Sequence, residues 1–74
     1  MAAFTYEIKK HVATITETHE GDYTLELNII SYNGNDPKYD LRKWDRKNDK
    51  MQKGITFTAE EAAKICQALK EEGF

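Results

Sequence analysis

The segment from residue 23 to residue 37 constrains the fold more than any other part of the chain. Its first eleven residues alternate between two faces, which is the period of a β-strand. One face carries Tyr23, Leu25, Leu27, Ile29 and Ser31, and the other carries Thr24, Glu26, Asn28, Ile30 and Tyr32. Asn33-Gly34-Asn35-Asp36-Pro37 follows, and Asn-Gly tolerates the positive φ angles of a tight hairpin turn. The sequence therefore predicts a strand at about 23–33 with an antiparallel neighbour.

Three further stretches have strand character. Residues 6–18 are rich in β-branched side chains, and residues 38–45 and 50–57 flank a polar turn at 46–49. On the third strand, Tyr39, Leu41 and Lys43 are expected on one face, and the opposite face is expected to hold Lys38, Asp40, Arg42 and Trp44. Gly54, inside the fourth strand, indicates either a bulge or a close approach of two backbones.

The period changes after the fourth strand. Thr58-Ala59-Glu60-Glu61 is a capping-box pattern, which predicts a helix at about 59–72 that Gly73 ends. Four small or apolar residues recur at helical spacing on one side, namely Ala62, Ile65, Cys66 and Leu69. The predicted fold class is α+β: a four-stranded antiparallel β-meander followed by one C-terminal α-helix (ββββα). We expect the helix to cover one sheet face and to leave open the face that bears Tyr32, Arg42 and Trp44.

The length of 74 residues allows a single domain, 1–74, with a loose start at 1–5. So short a chain buries little surface and needs additional stabilisation. One cysteine excludes an internal disulfide, and the spacing of Cys66, His11 and His19 suits no metal site. Self-association is therefore expected, and neither a metal nor a cofactor is. With no apolar run long enough to span a membrane and a lone thiol, the expected location is the cytoplasm.

Residues 38–53 concentrate the positive charge of a chain whose net charge is −2. They contain seven Lys or Arg residues, three Asp, one Tyr and the chain's one Trp. Basic residues mixed with aromatic ones suit a surface that follows a nucleic-acid backbone while bases stack on the rings, although a solvated charged strand has the same composition. Trp44 and Tyr32 are likewise open to two interpretations, as stacking rings or as core side chains. No catalytic constellation is present, so the sequence predicts a binding protein and not an enzyme.

Several motifs resemble those of the positive-cofactor-four family of transcriptional coactivators, and above all its small prokaryotic YdbC-like branch. Lys-Tyr-Asp-Leu-Arg-Lys-Trp at 38–44 and Lys-Met-Gln-Lys-Gly-Ile-Thr-Phe-Thr at 50–58 carry the resemblance, together with Glu-Leu-Asn at 26–28 and Ser-Tyr-Asn at 31–33. The resemblance implies a homodimer whose helices pack together, through Ala62, Ile65, Cys66 and Leu69. It also implies sequence-nonspecific binding of single-stranded DNA on the sheet.

By this resemblance, Tyr32 and Trp44 would stack on bases, Arg42, Lys50 and Lys53 would contact phosphates, and Asn28 would form hydrogen bonds. Lys38 joins the predicted site because it shares the strand face of Arg42 and Trp44. The chain departs from the branch in lacking basic residues near Thr24, Leu25 and Ile29, which implies weaker binding with a shallower salt dependence.

The sequence thus predicts a single-stranded DNA-binding protein that acts in transcription regulation, replication or repair. Two alternatives stay open. One is a protein-interaction module that docks on transcription or replication proteins. The other is a single-stranded RNA binder, since stacking and phosphate contacts do not depend on the 2′-hydroxyl.

Overall fold

The computed structural model describes residues 5–18 and 20–74. Four strands and a helix follow one another in it: β1 Tyr6–Glu17, β2 Tyr23–Tyr32, β3 Lys38–Asp45, β4 Lys50–Phe57 and α1 Ala59–Glu71. The strands form one sheet in the order β1-β2-β3-β4, and every neighbouring pair is antiparallel. The predicted ββββα meander is confirmed. The expected loose start at 1–5, apart from Thr5, lies outside the described residues, and so does His19.

The hairpin between β2 and β3 has the backbone that its sequence requires. Asn33 and Gly34 have φ angles of 51° and 77°, and the amide of Asn35 donates to the carbonyl of Tyr32 over 2.9 Å. Two successive positive φ angles define the type of turn that matches the twist of a hairpin. Asn33 also accepts a hydrogen bond from the amide of Thr5 on its side-chain oxygen, so the turn fixes the start of β1.

The sheet is strongly coiled. Tyr6 pairs with Tyr32 at one end of β2, whereas Trp44 pairs with Thr24, eight residues away near the other end. On a flat strand eight residues span about 26 Å. The ring centroids of Tyr6 and Trp44 are nevertheless 5.9 Å apart. Three register shifts along β1 accompany this coiling, because each bulge increases the local twist.

The two faces of the coiled sheet differ in burial. The face that we call the inner face carries the even-numbered side chains of β2 and β3, namely Thr24, Glu26, Asn28, Ile30, Tyr32, Lys38, Asp40, Arg42 and Trp44. Ile30, Trp44, Asn28 and Asp40 are fully buried there. The outer face carries the odd-numbered side chains of the same strands. Its leucines are only half-buried, and Ile55 of β4, which pairs with Leu41, is 58% exposed.

The expected packing of the helix on one sheet face is wrong for the single chain. Helix α1 contacts the sheet at β3, and none of its residues is buried. Ile65 and Leu69 are 43% and 49% exposed. The expectation of an open face is wrong for Trp44, which is fully buried, so its interpretation as a core side chain is the correct one. Tyr32 and Arg42 remain partly exposed on the same face.

The start of the helix follows the capping-box prediction. The amide of Glu61 donates to the Thr58 hydroxyl over 3.1 Å, and the Glu61 carboxylate accepts from the Thr58 amide over 2.8 Å. These two bonds satisfy amides that the first turn leaves without partners. No helix in the described part of the chain has the length and apolar character that a membrane crossing requires.

The backbones of β3 and β4 approach closely at Gly54. This glycine pairs with Arg42, and a Cβ at position 54 would lie 2.1 Å from the Arg42 Cβ and 2.6 Å from the Leu41 carbonyl oxygen. A register shift occurs directly beside it, between Arg42 and Trp44. Both interpretations of this glycine therefore hold: the backbones meet there, and a bulge adjoins the contact.

Candidate nucleic-acid interface

Asp40 organises one half of the inner face. Its carboxylate is fully buried and accepts hydrogen bonds from Nε and Nη2 of Arg42, each over 2.8 Å, and from the Tyr32 hydroxyl over 2.6 Å. The remaining Arg42 amine, Nη1, donates to the carbonyl of Gln52 over 2.9 Å. One buried carboxylate thus positions an aromatic ring and a guanidinium side by side, with 16% of the Arg42 side chain still exposed.

The ionisation of these two groups reflects the same contacts. Burial, together with the hydrogen bond to Asp40, raises the pKa of Tyr32 to about 12, so its hydroxyl remains a donor at neutral pH. The hydrogen bonds to Asp40 raise the pKa of Arg42 further above its already high value. Because Asp40 neutralises Arg42, a phosphate can contact this guanidinium only in addition to, or in place of, a strong two-point ion pair.

Glu26 organises the other half. Its buried carboxylate accepts hydrogen bonds from Nε and Nη2 of Arg46, over 2.9 and 2.6 Å, and a further bond from the Thr24 hydroxyl. Asn28 lies on its other side, and the Asn28 amide oxygen is 2.6 Å from Nδ1 of His11. Burial raises the pKa of Glu26, but the hydrogen bonds from Arg46, Thr24 and Asn28 outweigh it and lower the pKa to about 2. Glu26 is therefore ionised at neutral pH.

Trp44 pairs with Thr24 near the end of β3 and has no accessible surface. The Arg46 guanidinium carbon lies over its ring, 4.4 Å from the centroid, and the Tyr6 ring packs against it at an angle of 56°. The buried indole N–H has no hydrogen-bond partner in the described part of the chain. A base can stack on Trp44 only after Arg46 or Tyr6 has moved.

The seven residues of the predicted site do not form one surface. Asn28, Tyr32, Arg42 and Trp44 lie together on the inner face. Lys38 shares that face through its pairing with Ile30 and is exposed. Lys50 pairs with Asp45, which has the parity of the outer face, and Lys53 lines a groove of about 940 Å³ on that side with Leu25, Leu41 and Ile55.

The sequence placed Glu26 on the face of Asn28 and Tyr32, but its pairing with Arg46 was not predicted. Arg46 and Tyr6 were not predicted to belong to the inner face. The shared strand parity of Asp40 and Arg42 was a usable signal, because a carboxylate and a guanidinium two residues apart on one strand face can form an ion pair, as these two do. Arg46 follows the end of β3, so only the geometry of the turn brings it back over Trp44. The lysines at 38, 50 and 53 make no ion pair with any described carboxylate.

The fold and this polar inner face define a small protein built on one coiled sheet and a C-terminal helix. Residues 20–68 match the family described as Transcriptional Coactivator p15 (PC4), so this chain belongs to that family. It is also similar to an uncharacterized protein of Treponema pallidum (strain Nichols). The two are 41% identical over 66 residues, which cover 89% of this chain and 76% of the relative.

Proposed function

We propose that the protein binds single-stranded DNA without strong sequence preference and acts in transcription regulation, replication or repair. Membership of the p15 coactivator family supports a nucleic-acid-binding role. The structural observation that carries the proposal is the Tyr32–Asp40–Arg42 unit. It fixes a ring and a cation next to each other before any ligand arrives, which is the pairing that single-strand binders use for bases and phosphates.

The proposed contacts on the inner face involve side chains of different exposure. Tyr32 offers a partly exposed ring for stacking, Arg42 and Lys38 offer charge on the same face, and the buried Asn28 borders them. Lys50 and Lys53 would meet phosphates of a strand that continues over β4. Trp44 contributes a stacking surface only when its cover is displaced. With two of the inner-face cations already paired to carboxylates, we expect a shallow dependence of affinity on salt.

The proposal includes a homodimer formed through Ala62, Ile65, Cys66 and Leu69. Two apolar surfaces of the chain are uncovered, the outer face of the sheet and the apolar side of α1. A second copy can cover both at once, which supports self-association because contiguous exposed apolar surface of this kind marks an interface. The unpaired thiol of Cys66 agrees with a cytoplasmic location.

Docking on a transcription or replication protein is the second candidate. The apolar groove of the outer face favours it, since such a groove suits protein side chains better than a phosphate backbone. The two functions differ in the face that they use, so ligand binding that involves only the outer face would favour the protein partner.

Fluorescence anisotropy with labelled oligo-dT, a matching duplex and oligo-rU at low salt tests the proposal. We expect the single strands to bind with clearly higher affinity than the duplex. Equal binding to single and double strands, or no binding to either, would contradict it. The oligo-rU arm decides between DNA and RNA as the preferred strand.

A further inference from the structure

A charged group, the Arg46 guanidinium, covers the ring of Trp44. The Arg46 guanidinium lies 4.4 Å from the ring centroid and is attracted to it as a cation to an aromatic face. It occupies the position that a stacked base would take. Tyr6 contacts the same ring in a tilted arrangement, so Arg46 is the group that lies over the ring among the residues that the structure describes.

Arg46 is held in this position from two sides. Glu26 binds it with two hydrogen bonds, over 2.9 and 2.6 Å, and Asp49 accepts a third from Nη1 over 3.1 Å. Glu26 is itself fixed by Thr24 and Asn28. The guanidinium therefore rests in a preformed two-point site, and it cannot leave the ring without breaking that ion pair.

The covered arrangement also leaves one polar group unsatisfied. The Trp44 indole N–H is buried and has no acceptor in the described part of the chain. A buried donor without a partner costs free energy, so the covered state is less stable than a fully satisfied one. Uncovering Trp44 would give the N–H access to water or to an acceptor on a ligand.

We infer that Arg46 acts as a latch on the stacking surface of Trp44, and that a base of a bound single strand replaces the guanidinium on the ring. This inference rests on the proposed single-strand binding. By this inference, Arg46 weakens the binding of a single strand, although it is a cation within a nucleic-acid site. Removing the latch should therefore raise affinity, whereas removing an ordinary phosphate-binding cation lowers it.

The decisive variant is the double substitution Glu26→Gln/Arg46→Ala. It uncovers Trp44, leaves the net charge unchanged and avoids an unpaired buried carboxylate. The matched control is Glu7→Gln/Lys9→Ala, which removes an exposed ion pair of 3.0 Å from β1 with the same change in charge. If the covered state holds nine-tenths of the unbound molecules, its removal tightens binding about tenfold. The control should stay within about twofold of the wild-type affinity, as expected for an exposed pair.

The chain's one tryptophan allows an independent reading of the same event. In the unbound wild-type protein, acrylamide should quench Trp44 emission poorly, and it should quench the double variant strongly. Oligo-dT should quench Trp44 emission in both proteins, because a base then stacks on the indole. Circular dichroism establishes that the double variant is folded. If it is not, the response of wild-type Trp44 to oligo-dT decides the question.

The possible outcomes distinguish failure of the latch from failure of the proposed function. Wild-type binding to oligo-dT with unchanged Trp44 emission, or a folded double variant that binds no tighter than the wild type, would overturn the latch and leave single-strand binding intact. Acrylamide quenching that is equal in the two unbound proteins would also overturn the latch, whatever binds. Absence of single-strand binding in every protein would overturn the proposed function and the latch with it.

Discussion

Asp40 binds Arg42 through two parallel hydrogen bonds, from Nε to one carboxylate oxygen and from Nη2 to the other, each 2.8 Å long. The two residues are neighbours on the same face of β3, so this pair forms within one strand. Tyr32, on β2, donates to the same carboxylate. A strand-local ion pair and a cross-strand hydrogen bond therefore define the part of the inner face that remains partly exposed.

Asp40→Asn should destabilise the protein by roughly 2–4 kcal/mol, because it leaves the mostly buried Arg42 without its ionic partner. Urea unfolding measures the change. Asp49→Asn is the matched control: Asp49 also pairs with an arginine but is 84% exposed, so its loss should cost less than about 1 kcal/mol. Equal effects of the two substitutions would show that the buried ion pair contributes no more to the free energy of unfolding than the exposed one.

Glu26 should make stability depend on pH in the acid range. Its pKa in the folded protein, about 2, lies below the ordinary value of 4.5, so the unfolded chain binds the proton more readily. The stabilisation is complete above pH 4.5 and is lost as the pH falls from there towards 2, by roughly 3 kcal/mol. Unfolding free energies measured between pH 2 and pH 7 should fall less steeply for Glu26→Gln than for the wild type. Parallel profiles would contradict the assignment.

Gly54→Ala should be strongly destabilising, by roughly 1–3 kcal/mol or more, because the new methyl group would overlap the backbone of β3. Gly73→Ala is the useful comparison. Gly73 has a φ of 107°, but no atom lies within 4 Å of a Cβ built there, so its substitution carries only the local backbone cost. The midpoint temperature of thermal unfolding should be well below that of Gly73→Ala for the Gly54→Ala variant. The reverse order would mean that β3 and β4 separate easily at this point.

The dimer proposal predicts that the wild-type protein has twice the chain mass in light scattering after size exclusion. Leu69→Asp should abolish the dimer, because a charge would then be buried in the apolar contact, and the released chain should be monomeric or aggregated. Lys70→Asp changes the adjacent, exposed helix position and should remain a dimer. A monomeric wild type would contradict the dimer. Dimers of unchanged stability from Leu69→Asp would show that the helix is not part of the interface.

Local pattern was sufficient to predict the strands, the Asn33-Gly34 turn and the capped helix. Each of these depends on neighbouring residues, through alternation, positive φ or a capping hydrogen bond. Alternation also grouped Arg42 with Trp44 and Asp40 on one face. It gave no information on which face the sheet would enclose, and the apolar face was expected to lie under the helix.

The expectation that the inner face stays open was wrong at Trp44 for a physical reason. The carboxylates of this face, Glu26 and Asp40, each find an arginine, so a charged face becomes compatible with burial. The pairing of Glu26 with Arg46 depends on how the 46–49 turn folds back, and the contact of Tyr6 with Trp44 depends on the coiling of the whole sheet. Neither follows from spacing along the sequence, which is why the sequence left Trp44 open to two interpretations and only the structure shows that it is covered.

An NMR titration of the isotope-labelled chain with oligo-dT decides whether the inner face binds single strands, because it reports binding and its location together. We expect the largest shift changes on the inner face, at the amides and side chains of Asn28, Tyr32, Arg42 and Trp44, with smaller changes at Lys38, Lys50 and Lys53. Shift changes confined to the outer face, or none at saturating oligonucleotide, would contradict binding by the inner face.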